Sequence, residues 1–119
     1  MMKELNSNYL SYPQGIFVVC SYDKQQKPNL MTVTLGGMCS HNPPSFFVSI
    51  RPACYSHQNI QVRRAFTVNV PSSDYLREVD YVGLVSGRKT DKFGVCGLTA
   101  VDSESVDAPY IEEFPTHAE

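Results

Sequence analysis

The stretch that decides the fold runs Ile16-Phe17-Val18-Val19-Cys20, Ser21-Tyr22-Asp23-Lys24-Gln25-Gln26-Lys27, Pro28-Asn29-Leu30-Met31-Thr32-Val33-Thr34-Leu35. Its first segment is β-branched and apolar, its second polar and turn-like, and its third alternates side chains at period two. Strand, short turn, strand is the simplest reading, and so short a turn requires antiparallel pairing. The alternation predicts Leu30 and the threonines on opposite faces.

Outward from this hairpin, Gly36–Pro44 contains too many breakers to form an element and is expected to be a loop long enough to line a site. Ser45–Ile50 is strand-like. Ser56 is the expected N-cap of a helix running to about Ala65, and Phe66–Val70, closed by Pro71, returns to strand character. Ser72, Ser73 or Asp74 can cap a second helix with Tyr75, Leu76, Val79, Val82 and Val85 near a 3.6-residue stripe and Gly87 as its stop. Thr90–Cys96 suits a further helical turn, and only a weak pattern remains around Tyr110-Ile111 and Phe114. This order is not the βαβ alternation of a doubly wound fold. The fold class expected is mainly β with appended helices.

The chain has 119 residues, 42% of them hydrophobic and 18% charged, with 7 glycines and 8 prolines. Those values suit one globular domain, residues 1–119, and no linker stands out. The net charge of −2 hides an asymmetry: residues 1–100 hold ten basic and six acidic side chains, and 101–119 hold six acids and no Lys or Arg. A pI near 5.9 without a dense basic stripe argues against nucleic acid and leaves room for a small anionic ligand. Residues 1–15 lack the apolar core of a signal peptide, and no apolar run approaches a bilayer span, so a cytoplasmic protein without membrane contact is expected. Cys20, Cys39, Cys54 and Cys96 form no C-x-x-C pair and are expected to be free thiols.

Several chemistries lack their motifs. There is no G-x-G-x-x-G after a strand and no Walker-type phosphate loop. Gly83-Leu84-Val85-Ser86-Gly87 misses the nucleophile elbow by one position. Cys39-x-His41 and Cys54-x-x-His57 offer a zinc ligand set, with a spacing tighter than ordinary zinc knuckles. That leaves a small zinc-binding structural module as one alternative. A Cys54/His57 nucleophile pair has only sequence adjacency behind it. The most suggestive cluster is Arg51-Pro52-Ala53-Cys54-Tyr55-Ser56, where an arginine ends a strand and a serine opens a helix. A helix N-terminus with a nearby guanidinium and hydroxyl suits a phosphate, although Ser56 as a cap and Arg51 in solvent explain the same residues. Lys92, in the basic run from Arg88, equally suits compensation of a helix C-terminus.

In combination, Pro28–Val33, Ser40–Pro44, Ser49–Pro52 with Tyr55-Ser56, Phe66–Val70, and Val79–Arg88 leading into Asp91-Lys92-Phe93 resemble the flavin reductase-like family, and within it the flavoredoxin-type proteins. The resemblance extends from about Pro13 to Pro115. It implies an antiparallel FMN-binding split barrel that forms a homodimer with FMN near the interface. Carried over residue by residue, Asn29, Met31 and Thr32 would border the flavin ring. Ser49, Ile50, Arg51 and Ser56 would line the phosphate and ribityl side, and Ser86, Gly87 and Lys92 would approach from the end of the second helix. NAD(P)H would be the reductant, with electrons passing to free flavin or a protein acceptor, and no catalytic acid–base dyad is expected because the redox chemistry belongs to the cofactor. The alternative within the resemblance is an FMN-binding electron carrier, or a truncated flavoprotein, without turnover. Two departures stand out: Leu35 replaces a large aromatic frequent in the family, and the chain stops where family members run on into several further strands. The barrel is therefore expected to be incomplete at its C-terminus.

Overall fold

A computed structural model describes residues 13–119. Apart from Pro13–Gly15, the N-terminal stretch read for a signal peptide lies outside them. The decisive hairpin forms as expected: β1 (Phe17–Tyr22) pairs antiparallel with β2 (Pro28–Val33), from Phe17 opposite Val33 to Tyr22 opposite Pro28. The turn is locked by Asp23, whose carboxylate accepts the N–H groups of Gln25 (2.8 Å) and Lys27 (2.9 Å). A side chain that satisfies two turn amides is the usual reason for Asp at such a position.

Gly36–Pro44 is not a loop. β3 (Gly36–His41) pairs with β4 (Pro44–Val48) across a tight turn, with a register shift between Met38 and Ser40. The glycine-rich sequence hides the strand because its pairing comes from β4 rather than from its own propensity. Next come α1 (Tyr55–Arg63), β5 (Thr67–Val70), a single 3₁₀ turn at Ser73–Tyr75, α2 (Leu76–Leu84) and α3 (Lys92–Cys96). The acidic end contributes β6 (Ala100–Asp102), β7 (Pro109–Ile111) and β8 (Thr116–Ala118).

The four-stranded sheet has the order β2-β1-β5-β8, with β3–β4 and β6–β7 as separate antiparallel pairs. Mainly antiparallel strands with few helices agree with the expected fold class. One sheet face carries Val18, Cys20 and Leu30 into a core shared with Val79 and Val82 of α2, Phe93 of α3, Leu98, Ile111 and Phe114. Burying these apolar side chains stabilises the domain by roughly 1.5–3 kcal/mol each for the larger ones. Buried Asn69 ties three strands: its Nδ2 donates to Val18 O (3.1 Å), and its Oδ1 accepts Ile111 N–H (3.0 Å).

Leu30 and Thr32 share a face, contrary to the expected separation, because residues two apart in a strand point the same way. Thr32 Oγ1 donates to Val79 O of α2. At Gly83 a Cβ would lie 3.2 Å from Thr32 Cβ, so the glycine inside the helix records how closely α2 lies on β2. The apolar stripe of α2 is shorter than its spacing predicts: Val79 and Val82 are buried, whereas Leu76 is exposed. The helix ends at Leu84 rather than at Gly87.

On the other sheet face α1 packs by polar side chains, Ser56 and Asn59. Its N-cap is Cys54, and Ser56 lies inside the first turn instead of capping it. Among the described residues no helix is long and apolar enough to cross a membrane, and all four cysteines are free.

Candidate functional site

Among the described residues β2 is an edge strand, with no pairing partner on its outer side. Around that edge lies a cavity of about 370 Å³, within the usual range for small-molecule sites of roughly 300–1,000 Å³. One wall is the β4–α1 connection and the first turn of α1: Arg51, Ala53, Cys54, Tyr55 and Ser56. The opposite wall is the last turn of α2 and the strap after it, Val82–Arg88, with Met31 and Lys92 completing the lining.

Three cations therefore face one cavity, Arg51, Arg88 and Lys92, and no carboxylate is among the described residues that line it. Lys92 is buried at 5% exposure, and its Nζ donates to Leu30 O (2.9 Å) and Val82 O (2.8 Å). Both acceptors follow from the fold. Leu30 lies on the unpaired edge, and Val82 belongs to the last turn of α2, where carbonyls lack helical partners. Burial lowers the Lys92 pKa to about 8, because the ammonium loses its solvation, a loss that Cys96 and Cys54 nearby offset only in part. An ammonium makes three hydrogen bonds, so one donor is left for the cavity.

Arg88 is exposed at the rim. Its Nη1 donates to Ala53 O (3.2 Å), bridging the walls, and its guanidinium stands 5.6 Å from the centre of the Tyr55 ring. The Tyr55 hydroxyl donates in turn to Asp23 Oδ2 (3.1 Å). Burial pushes the Asp23 carboxyl up, but the N–H groups of Lys27 and Gln25 and the Tyr55 hydroxyl outweigh it and hold the group below its ordinary value. Burial and the bond to Asp23 raise the Tyr55 phenol. Tyr55 thus remains a neutral donor and a fixed platform for Arg88.

Of the residues singled out in the sequence, Met31, Arg51, Ser56, Ser86, Gly87 and Lys92 meet at this cavity. Asn29 lies directly behind it, donating from Nδ2 to Ser56 Oγ at 2.9 Å. Thr32 turns to α2, as described. Ser49 is exposed, with its N–H given to Leu35 O (2.8 Å), and Ile50 lines a separate apolar cavity with Phe47, Ile60 and Phe66. Sequence reasoning missed Tyr55 and Arg88 as lining residues, although each adjoins a residue it named. The zinc ligand set does not assemble: no group of three or more His, Cys, Asp or Glu able to hold a metal occurs among the described residues.

The residue types fit a flavin mononucleotide. Arg51, Arg88, Lys92, the Ser56 hydroxyl and the N-terminus of α1 suit a phosphate. Met31 and Val85 supply apolar surface for a flat ring.

Comparison with known proteins points the same way. The family described as flavin reductase like domain matches residues 9–119. The fold superposes on flavoredoxin of Desulfovibrio vulgaris (Miyazaki F) with a TM-score of 0.94 and 45% identity, covering 98% of this chain and 64% of that one. A putative flavin reductase with split barrel domain from Shewanella frigidimarina NCIMB 400 shares the fold at a TM-score of 0.79 and 21% identity, with 87% and 52% covered. An uncharacterised protein of Archaeoglobus fulgidus is 32% identical over 108 residues, 91% of this chain and 60% of that protein. The chain thus spans somewhat under two thirds of the length of these relatives.

Proposed function

Because the chain belongs to the flavin reductase-like domain family, we propose that the cavity at the β2 edge holds FMN and that the protein passes electrons from NAD(P)H through it to free flavin or a protein acceptor. The observation that carries this reading is the convergence of Arg51, Arg88 and Lys92 on one cavity with no carboxylate among its described lining residues. Such a site favours a dianionic phosphomonoester over a neutral ligand.

When bound, FMN supplies the hydride and electron chemistry. The chain's residues hold and orient it. Arg51 and the first turn of α1 receive the phosphate, Lys92 places a desolvated positive charge beside it, and Arg88 closes the rim from its platform on Tyr55. Met31 and the strap Val85–Gly87 exclude water from one side of the ring.

The assembly belongs to the same proposal. Leu35, Met38 and Phe47, on or beside the β3–β4 hairpin, are each more than 40% exposed, and that much apolar surface supports a homodimer. Four free thiols suit a reducing, cytoplasmic setting.

Purified protein titrated with FMN is expected to quench flavin fluorescence with one site per chain, and NAD(P)H added without oxygen is expected to bleach the bound flavin. Binding without bleaching would leave an FMN-binding electron carrier without turnover. That second reading is favoured by the 45% identity to a flavoredoxin. Failure to bind any flavin would end both. Light scattering at a monomer's mass, 13.3 kDa, would remove the homodimer.

A further inference from the structure

Ser56 is 2% exposed and lines the cavity, and its Oγ accepts a hydrogen bond from Asn29 Nδ2 at 2.9 Å. A hydroxyl that accepts from an amide keeps its own proton to donate. No acceptor for that proton is found among the hydrogen bonds of the described residues. Asn29 is itself 5% exposed and held on its other side, since its Oδ1 lies where the strap leaves room only for a glycine at 87. The carboxamide is a strut between the two walls, behind the lining rather than part of it.

We propose that Asn29 is a positioning residue: it holds Ser56 as an obligatory donor, aimed at the phosphate of the ligand rather than at its ring. This rests on the FMN reading above and differs from the ring-bordering place that the family resemblance gives Asn29. A donor fixed in advance loses no rotational freedom on binding, and a charge-assisted bond to phosphate is stronger than one to a neutral group. Asn29 therefore sets preference for the phosphorylated over the unphosphorylated flavin.

The test compares FMN and riboflavin affinity, by fluorescence quenching, in wild type, Asn29→Asp, Asn29→Ala, Ser56→Ala and Asn29→Ala/Ser56→Ala. Aspartate in place of Asn29 accepts the Ser56 proton and withdraws it from the ligand. Asn29→Asp is expected to weaken FMN by about tenfold or more while riboflavin changes by less than about threefold. Asn29→Ala, which adds no charge to the buried pair and serves if the aspartate variant does not fold, lowers the FMN-to-riboflavin ratio in wild type and leaves it unchanged when Ser56 is already alanine. Equal losses for both flavins, an unchanged ratio, or the same effect of Asn29→Ala with and without Ser56 would each overturn the proposal. Wild-type protein that binds no flavin would instead overturn the FMN reading itself.

Discussion

A Cβ placed on Gly87 would stand 2.0 Å from Asn29 Oδ1 and 2.8 Å from Tyr55 Cδ1, so the strap after α2 lies against both side chains with no room for a methyl group. The constraint is steric rather than conformational, because Gly87 is not among the residues with positive φ. Gly87→Ala is expected to push Asn29 off Ser56 or lift the strap from Tyr55. Either movement opens the cavity wall, and overpacking of this kind costs roughly 1–3 kcal/mol. Urea unfolding should show that loss, and FMN affinity should fall by at least about tenfold. Wild-type values in both measurements would mean the strap is not seated as described.

Arg88 and Tyr55 act together at the rim, the guanidinium over the ring and the ring tied to Asp23. Arg88→Ala is expected to weaken FMN by about 1–2 kcal/mol, leave riboflavin nearly unchanged and flatten the salt dependence of FMN binding. Tyr55→Phe keeps the platform and removes only the bond to Asp23, so its effect should be smaller and share the same ligand preference. Titrations of each variant at two ionic strengths check both statements, and an Arg88→Ala loss independent of salt would contradict them.

Much of this was legible in the sequence, for physical reasons that also mark where it stopped. β1, β2 and β5 carry their own β-branched or alternating pattern, and Lys92 and Arg51 stand out as cations beside helix ends. β3 does not, because Gly36-Gly37 has little strand preference and is held by β4. Ser56 has the signature of a cap, yet the structure uses Cys54 there and buries the hydroxyl against Asn29, 27 positions earlier. The Arg88–Tyr55 contact depends on the strap reversing after α2, and no local spacing encodes that. Ser49 and Ile50 follow the family pattern, but both lie past the end of β4 and neither lines this cavity, Ser49 being exposed and Ile50 lining the separate apolar one.

Asn69 offers a test of the fold independent of any ligand. Removing its side chain leaves the buried Ile111 N–H without its acceptor and takes one hydrogen bond from Val18 O, which stays in the β1 ladder. An unsatisfied buried group costs roughly 1–3 kcal/mol, and Asn69→Ala is expected to lose about that much in urea unfolding. Asn69→Asp keeps the acceptor for Ile111 and loses the donor, and an uncompensated buried carboxylate makes it at least as damaging at neutral pH. A loss under about 1 kcal/mol for the alanine variant would contradict the three-strand tie.

Lys92 gives the pH dependence its direction. Its folded-state pKa is lowered to about 8 from the ordinary 10.5, so between those values the unfolded chain binds the proton and the folded protein does not. Stability from this group therefore increases as pH rises from about 8 toward 10.5, and the cost of holding the buried charge is fully present below about 8. Binding runs the other way. A phosphate beside Nζ favours the ammonium, so FMN affinity should fall as pH rises through about 8, whereas riboflavin, with no phosphate to meet the charge, should stay nearly flat. At the acid end FMN should also weaken as its phosphate takes up its second proton near pH ~6. The FMN profile is thus a bell between two titrations of different partners, and Lys92→Met should remove only its alkaline limb. Retention of that limb in Lys92→Met would assign it to another group.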